Sequence, residues 1–171
     1  MSKKVLLIED SKSFASLVAG TLKYRHHYES IIAPTLSDAK ALLEENADRF
    51  FAAIVDLNLP DAPNGEAVEL TSKYKIPSIV LTGQLSEGLR EDIFSKGVSD
   101  YVLKTGQYNI DYVVDAIHRF ECNRNVKVLV VDDSITARRQ MKRLLLTQCY
   151  QVIEAESGLA ALGALEDNPD V

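Results

Sequence analysis

The sequence predicts an α/β fold, in which a doubly wound five-stranded parallel sheet is followed by a partial second β-α-β-α unit. Two observations lead to this prediction. First, short apolar runs alternate with helical patterns between residues 4 and 121, which is typical of a parallel sheet with helices on both faces and right-handed crossovers. Second, "VLLIEDS" at residues 5–11 recurs as "VLVVDDS" at residues 128–134, and such internal similarity indicates a duplicated structural unit.

The elements of the first copy can be assigned in order along the chain. After a first strand at 5–8, a helix places Phe14, Leu17, Val18 and Leu22 on one face. The next elements are predicted at 28–33 (strand), 37–45 (helix), 50–56 (strand), 65–74 (helix), 76–81 (strand), 86–96 (helix, with Ser86 as N-cap and Gly97 as the stop), 100–104 (strand) and a last helix running toward residue 120. This order completes five strands and five helices.

The second copy repeats only the opening of the first. A strand begins at residue 128, and a helix follows with Ala137, Met141, Leu144 and Leu145 on one face. A strand at 150–155 and a helix at 158–165 complete this copy. We therefore expect a complete domain at 1–121, a short linker at 122–127 that can extend the preceding helix, and the first half of a second domain at 128–171.

The second copy ends before the strand that would carry a counterpart of Asp56, so we expect this chain to be a piece of a longer protein. Two strands and two helices are too few to bury a sheet core alone. We therefore expect the half domain to pack against the first domain or against another chain, in which case it would mediate a homodimer.

Composition and charge exclude several classes of protein. The 171 residues are 46% hydrophobic and 26% charged, with a net charge of −6, which is typical of a globular protein and unfavourable for nucleic-acid binding. The apolar run "VLLI" ends in "ED", so we expect neither a signal peptide nor a membrane span. The two cysteines form no motif, which favours reduced thiols and a cytoplasmic location.

Polar side chains stand where the predicted strands end. Glu9 and Asp10 follow the first strand, Asp56 ends the third, Thr82 follows the fourth and Lys104 ends the fifth. Each has a simpler explanation by itself, as a helix cap, a turn residue or a solvated charge. Because parallel strands place their carboxyl ends at one edge, where doubly wound sheets bind ligands, the combination favours a functional site.

The chemistry that this set suits is phosphoryl transfer. Three crowded carboxylates favour a hard cation with oxygen ligands, Mg²⁺ (or Mn²⁺). Asp56 can act as a nucleophile that forms an acyl phosphate. Lys104, the hydroxyl of Thr82 and backbone N–H groups after Asp56 can bind the other phosphoryl oxygens.

With the motifs "IEDS", "VDLNLP…NG", "VLTG" and "DYVLKTG", the chain resembles the receiver domain of bacterial two-component response regulators, which has a flavodoxin-like fold. The resemblance covers residues 4–121, and 126–171 as the first half of a second receiver. It implies that Asp56 is the phosphoacceptor, and that Asp10, Asp56 and the main-chain carbonyl of Asn58 bind the metal, with Glu9 acting through water. It also implies that Thr82 is the switch hydroxyl, Lys104 the conformational lysine and Tyr101 the aromatic residue that turns inward on phosphorylation. Asn58 and Gln84 would influence how long the phosphoryl group persists.

The resemblance also implies partners. The phosphoryl donor would be a histidine kinase or a histidine phosphotransfer protein, and the signal would pass to a downstream output domain. Tandem receivers of this kind often precede a GGDEF diguanylate cyclase domain, which would make the full-length protein an enzyme.

In the second copy, Asp132 and Asp133 match the acidic pair formed by Glu9 and Asp10 in the first.

The chain departs from the receiver pattern at three places. Glu9 stands where many relatives have aspartate, and the loop from Pro60 to Gly65 is one residue longer than usual. Thr105 follows Lys104 where proline after a cis bond is usual. A cis bond before a non-proline residue costs about 2.5–4 kcal/mol, so we expect a trans bond, a differently aimed Lys104 and weaker phosphoryl binding.

Other interpretations remain open on the residues alone. Phosphatases of the haloacid dehalogenase type also use Asp, Thr, Lys and Mg²⁺, but place the nucleophile after the first strand and a second Asp two residues later, where this chain has Asn58. A receiver-like module that only binds proteins is the other alternative. His26, His27 and His118 show no metal-ligand spacing, and the basic run at 137–143 is interpreted as a solvated face.

Overall fold

The structure, a computed structural model, describes residues 4–83 and 87–171. The chain divides into two compact units, Met1–His118 and Arg119–Val171. In the first unit, the expected helix N-cap at Ser86 and the candidate residue Gln84 lie outside the described residues.

The first unit contains the predicted alternation of strands and helices. Its elements are β1 (Lys4–Ile8), α1 (Lys12–His26), β2 (Glu29–Ala33), α2 (Leu36–Asn46), β3 (Phe50–Asp56), α3 (Glu66–Lys73), β4 (Ser78–Thr82), α4 (Glu87–Ser95), β5 (Asp100–Leu103) and α5 (Gly106–Asn123), which begins in the first unit and ends in the second. A 3₁₀ turn at Ala47–Arg49 leads into β3. Within residues 4–83 and 87–171, no helix combines the length and the apolar character that crossing a membrane requires.

The five strands form one parallel sheet in the order β2-β1-β3-β4-β5, which confirms the predicted doubly wound fold. From β1 the chain adds β2 on one side of the sheet and then β3, β4 and β5 on the other. The boundary between β1 and β3 is therefore the topological switch point, where sheets of this kind bind ligands. Ile8 pairs with Val55 across these two strands. The residues that come next, Glu9 and Asp56, are therefore neighbours at the carboxyl edge.

The core lies on the central strands and explains why the sequence folds this way. All seven residues of β3 are buried, as expected for a parallel strand covered on both faces. Helix α1 begins at Ser11, whose side chain accepts a hydrogen bond from the Phe14 N–H. Its buried residues are Ala15, Val18 and Leu22.

The prediction for α1 was wrong at Leu17, which is 46% exposed. The buried residues Ala15, Val18 and Leu22 are three and four positions apart, and Leu17 lies outside the face that they form. Periodicity locates the buried face of a helix but not its edges, so a leucine at the border can point to solvent.

The second unit contains β6 (Lys127–Val131), α6 (Ile135–Thr147), β7 (Gln151–Ala155) and α7 (Gly158–Asp167), with β6 and β7 parallel. The element types agree with the prediction, but the burial of the α6 face does not. Met141 is 50% and Leu144 57% exposed, because a two-stranded sheet offers a helix much less surface than a five-stranded one.

Candidate functional site

Three acidic side chains meet at the switch point of the sheet. Carboxylate oxygens of Glu9, Asp10 and Asp56 all lie within 4.8 Å of one another. Glu9 and Asp56 are 2% and 6% exposed, whereas Asp10 is exposed. A buried carboxylate is costly unless it is paired, so this arrangement requires a cation. An all-oxygen donor set of this kind fits Mg²⁺ or Mn²⁺.

The ammonium group of Lys104 bridges the two buried acids. Its Nζ lies 2.6 Å from Glu9 Oε2 and 2.6 Å from Asp56 Oδ2. Both distances are in the short range of charge-assisted hydrogen bonds. The lysine therefore neutralises part of the acidic cluster and lies within reach of any group bound to Asp56.

The bond between Lys104 and Thr105 is trans, as expected. Lys104 nevertheless reaches both buried acids, and the weaker phosphoryl binding stays a prediction. The Lys104 N–H donates to the Thr82 carbonyl at 2.7 Å, which holds the lysine backbone against the end of β4. From there the long side chain reaches Asp56 without a cis bond.

The buried position of Glu9 affects its protonation. Burial raises the pKa of the Glu9 carboxyl above its ordinary value; the hydrogen bond and charge of Lys104 lower it, and the charge of Asp56 raises it. Because the pKa of Glu9 is raised on folding, the free-energy cost of ionising it grows as the pH rises above the ordinary pKa and is complete above the raised one. A second cation beside Glu9 would offset this cost.

The backbone after Asp56 is folded back toward the acid. The Asn58 N–H donates to Asp56 Oδ1 at 3.2 Å, and the Gly65 N–H donates to the Leu57 carbonyl at 3.2 Å. Gly65 has φ +79°, and a Cβ there would lie 3.2 Å from Leu57 Cδ2, so both conformation and space favour glycine. Hydrogen bonds therefore hold the loop between Asp56 and α3 near both of its ends, and the Asn58 side chain is exposed.

The two proposed switch residues are both buried. Thr82, the last residue of β4, is 1% exposed, and Tyr101 in β5 is 8% exposed. Tyr101 belongs to the main hydrophobic core cluster. The ring is buried in this structure, and its expected inward turn on phosphorylation stays a prediction.

The second acidic pair has a different environment. Asp132 and Asp133 follow β6 and are both exposed. Asp132 Oδ1 accepts a hydrogen bond from the Ser134 N–H at 2.8 Å. Among the described residues, the group of three acids that could hold a metal ion is the one at Glu9, Asp10 and Asp56.

Two features near the site or in its unit were not found from the sequence. The Phe14 ring lies 5.0 Å from Lys104 Nζ, a cation–π distance, although Phe14 was predicted only as an apolar helix residue.

The second feature is a cluster around two histidines. The rings of His26 and His118 stack with their centroids 4.1 Å apart. His26 Nε2 lies 2.9 Å from Asp115 Oδ1, and the Tyr28 hydroxyl lies 3.0 Å from His118 Nδ1. These contacts join residues about ninety positions apart, for which local patterns give no signal.

Two solved structures are similar to this chain. The crystal structure of a two-component system response regulator/GGDEF domain protein is 36% identical with a TM-score of 0.89, covering 99% of this chain and 68% of that chain. The Mn(2+)-bound form of response regulator Rcp1 is 29% identical with a TM-score of 0.60, over 70% of this chain and 94% of that chain.

One curated relative is a regulatory protein. Methanogenesis regulatory protein FilR1 from Methanothrix harundinacea (strain 6Ac) is 32% identical over an alignment of 111 residues, which covers 58% of this chain and 23% of that protein. The matched part of this chain therefore corresponds to about a quarter of the length of that relative. No protein-family model matches the chain.

Proposed function

The chain belongs to the receiver family of two-component response regulators, and from this premise we propose that its first unit accepts a phosphoryl group on Asp56. The proposed role is phosphorelay signalling in the cytoplasm, with a histidine kinase or a histidine phosphotransfer protein as donor. The observation that carries the proposal is the buried Asp56, with Glu9 and Asp10 within 4.8 Å and Lys104 Nζ at 2.6 Å. This combination supplies a nucleophile, a cation site and a cationic side chain at one place.

In the proposed reaction a carboxylate oxygen of Asp56 attacks the phosphorus of a phosphohistidine. A new O–P bond forms, the N–P bond breaks, and the imidazole leaves with the electron pair and takes up a proton from water. Lys104, the Thr82 hydroxyl and N–H groups of the loop after Asp56 bind the phosphoryl oxygens. Positioning and charge stabilisation account for most of the rate in such a step.

The proposed metal site uses residues that the structure brings to one edge. Asp10, Asp56 and the main-chain carbonyl of Asn58 would hold Mg²⁺ or Mn²⁺, with Glu9 acting through water. When bound, the cation supplies positive charge that offsets the repulsion between the carboxylates and an incoming phosphate. The Mn(2+)-bound form of Rcp1 supports the choice of metal.

We propose that the signal leaves the site through Thr82 and Tyr101. The Thr82 hydroxyl would move toward the phosphoryl group, and the face formed by α4, β5 and α5 would change between two states whose populations phosphorylation shifts. The output would be a diguanylate cyclase domain in the full-length protein, which the GGDEF domain of the 36% identical relative supports. Asn58 and Gln84 are proposed to influence how long the phosphoryl group persists.

We further propose that residues 128–171 form the opening of a second receiver. The Asp132 N–H donates to the Ala155 carbonyl at 3.2 Å, as the Glu9 N–H donates to the Ala33 carbonyl at 3.0 Å. Ser134 caps α6 as Ser11 caps α1. The exposed side chains of Met141 and Leu144 support a homodimer through this unit; light scattering that shows a monomer at high concentration would count against it.

Acetyl phosphate provides the test of the main proposal. We expect one added phosphoryl group in the intact mass after incubation with acetyl phosphate and Mg²⁺. The adduct should be absent when EDTA removes the metal, and hydroxylamine should cleave it, because acyl phosphates react with that nucleophile. If no adduct forms and beryllium fluoride does not bind either, the receiver-like interaction module becomes the better interpretation.

A further inference from the structure

The loop that follows Asp56 is attached to a second element of the fold by one side chain. Asp61 lies at the tip of this loop and accepts hydrogen bonds from the Leu36 N–H at 2.8 Å, the Ser37 N–H at 3.0 Å and the Ser37 hydroxyl at 3.1 Å. Leu36 and Ser37 are the first two residues of α2. We call this set of three hydrogen bonds the Asp61 clamp.

The clamp supplements the ordinary cap of α2 with a contact from outside the helix. The first N–H groups of a helix have no partner within it. The side-chain hydroxyl of Thr35, the N-cap, accepts from the Asp38 N–H at 3.0 Å. Asp61 accepts hydrogen bonds from the two N–H groups that precede Asp38, those of Leu36 and Ser37. These hydrogen bonds, with that of Leu36 the largest effect, lower the pKa of the Asp61 carboxyl below its ordinary value, although desolvation acts to raise it.

The loop between Asp56 and α3 is otherwise held by its own backbone and apolar residues. Leu59 and Ala62 exchange two backbone hydrogen bonds of 3.2 Å, which close a tight turn around Pro60 and Asp61. Leu57, Leu59 and Ala62 are buried. The turn therefore presents the Asp61 carboxylate in a defined direction, toward α2.

The clamp connects the loop that carries the proposed ligand Asn58 to a segment that is hydrogen-bonded to Glu9. On one side, Asp61 lies three residues after Asn58, whose main-chain carbonyl is a proposed ligand. On the other side, α2 follows β2, and the carbonyl of Ala33 at the end of β2 accepts the Glu9 N–H at 3.0 Å. A displacement of the loop away from α2 would therefore change the position of the Asn58 carbonyl relative to Glu9.

We infer that Asp61 is a positioning residue for the metal and phosphoryl site, which it holds in shape by fixing the loop after Asp56 to the N-terminus of α2. This inference rests on the proposed function of Asp56. Asp61 touches none of the reacting atoms and acts through the loop. Residues that orient metal ligands in this way commonly change metal affinity by 10–100-fold when they are replaced.

The test compares two variants that both weaken the N-terminus of α2. Asp61→Asn removes the charge and one acceptor of the clamp, whereas Thr35→Ala removes the N-cap but leaves the loop contact intact. Binding of Mn²⁺ is measured by the loss of the free-ion signal in electron paramagnetic resonance. We expect Asp61→Asn to weaken Mn²⁺ binding about tenfold, and Thr35→Ala to lower the melting temperature with Mn²⁺ binding close to wild type.

Amide hydrogen exchange provides the second readout. In Asp61→Asn the N–H groups of Ala62 and Gly65 should exchange faster than in wild type, because the loop loses its attachment; in Thr35→Ala they should not. Ser37→Ala, which removes one donor of the clamp, should give a smaller change in the same direction.

The outcomes separate this inference from the proposed function. The inference is overturned if Asp61→Asn binds Mn²⁺ as tightly as wild type, or if Thr35→Ala weakens binding equally. If the wild-type protein itself binds neither Mn²⁺ nor beryllium fluoride, the proposed function of Asp56 fails, and the role assigned to Asp61 fails with it.

Discussion

The Asp56→Asn protein should show no phosphoryl adduct after incubation with acetyl phosphate and Mg²⁺, under conditions in which the wild-type protein is modified. Asparagine has nearly the same shape and keeps an oxygen that can accept the Asn58 N–H, which lies 3.2 Å from Asp56 Oδ1. Its neutral amide is a poor nucleophile and cannot form an acyl phosphate. The expected loss is therefore complete and chemical in origin, and intact mass spectrometry measures it directly.

The control for this variant is Asp132→Asn. Asp132 also follows a parallel strand and also accepts the N–H of the residue two positions later, but it lies in the second unit and is exposed. We expect the adduct to form in Asp132→Asn as in wild type. Retention of the adduct in Asp56→Asn, or its loss in Asp132→Asn, would place the reactive carboxylate elsewhere.

Replacing Lys104 by methionine should destabilise the metal-free protein and slow its phosphorylation. Lys104 Nζ lies 2.6 Å from oxygens of Glu9 and Asp56, whose side chains are only 2% and 7% exposed. Without the ammonium group, two buried carboxylates lose their partner, and such a loss costs about 3–5 kcal/mol. Thermal unfolding in EDTA measures this cost, and Mg²⁺ should restore part of the stability because it binds the same oxygens.

The effect of Lys104→Met on phosphorylation should be separable from its effect on stability. One lost charge stabiliser of a transferred group costs about 10²–10³ in rate, even in Mg²⁺ where the protein is folded. Lys96→Met is the matched control, since Lys96 pairs with Glu69 and Asp92 at 3.1 and 3.0 Å, and both acids are exposed. It should change stability by less than about 1 kcal/mol and leave the rate unchanged; equal effects of the two variants would contradict the assigned role of Lys104.

The sheet and the meeting of acids at its edge could be predicted because both depend on local patterns. Alternating apolar runs and helical periodicity define a parallel sheet, and parallel strands place Glu9, Asp10, Asp56 and Lys104 at one edge. The trans bond between Lys104 and Thr105 could also be predicted locally, because a cis bond before a non-proline residue is costly.

What could not be predicted depends on tertiary contacts. The reach of Lys104 to Asp56 follows from the position of its backbone against Thr82, for which the sequence contains no local signal. The Asp61 clamp joins residues 24 and 25 positions apart, and Asp61 resembles any turn aspartate until α2 is placed beside it. Leu17 was misassigned because periodicity does not define the edge of a buried face.

The central claim is that the phosphoryl group is bonded to the carboxyl group of Asp56, and borohydride reduction tests it most directly. An aspartyl phosphate is reduced to homoserine, which remains in the chain and can be located by peptide mass spectrometry. After acetyl phosphate and Mg²⁺, we predict homoserine at position 56 and at no other acidic residue. Homoserine at Asp10, Asp132 or Asp133, or a phosphoryl adduct that borohydride does not reduce, would contradict the claim.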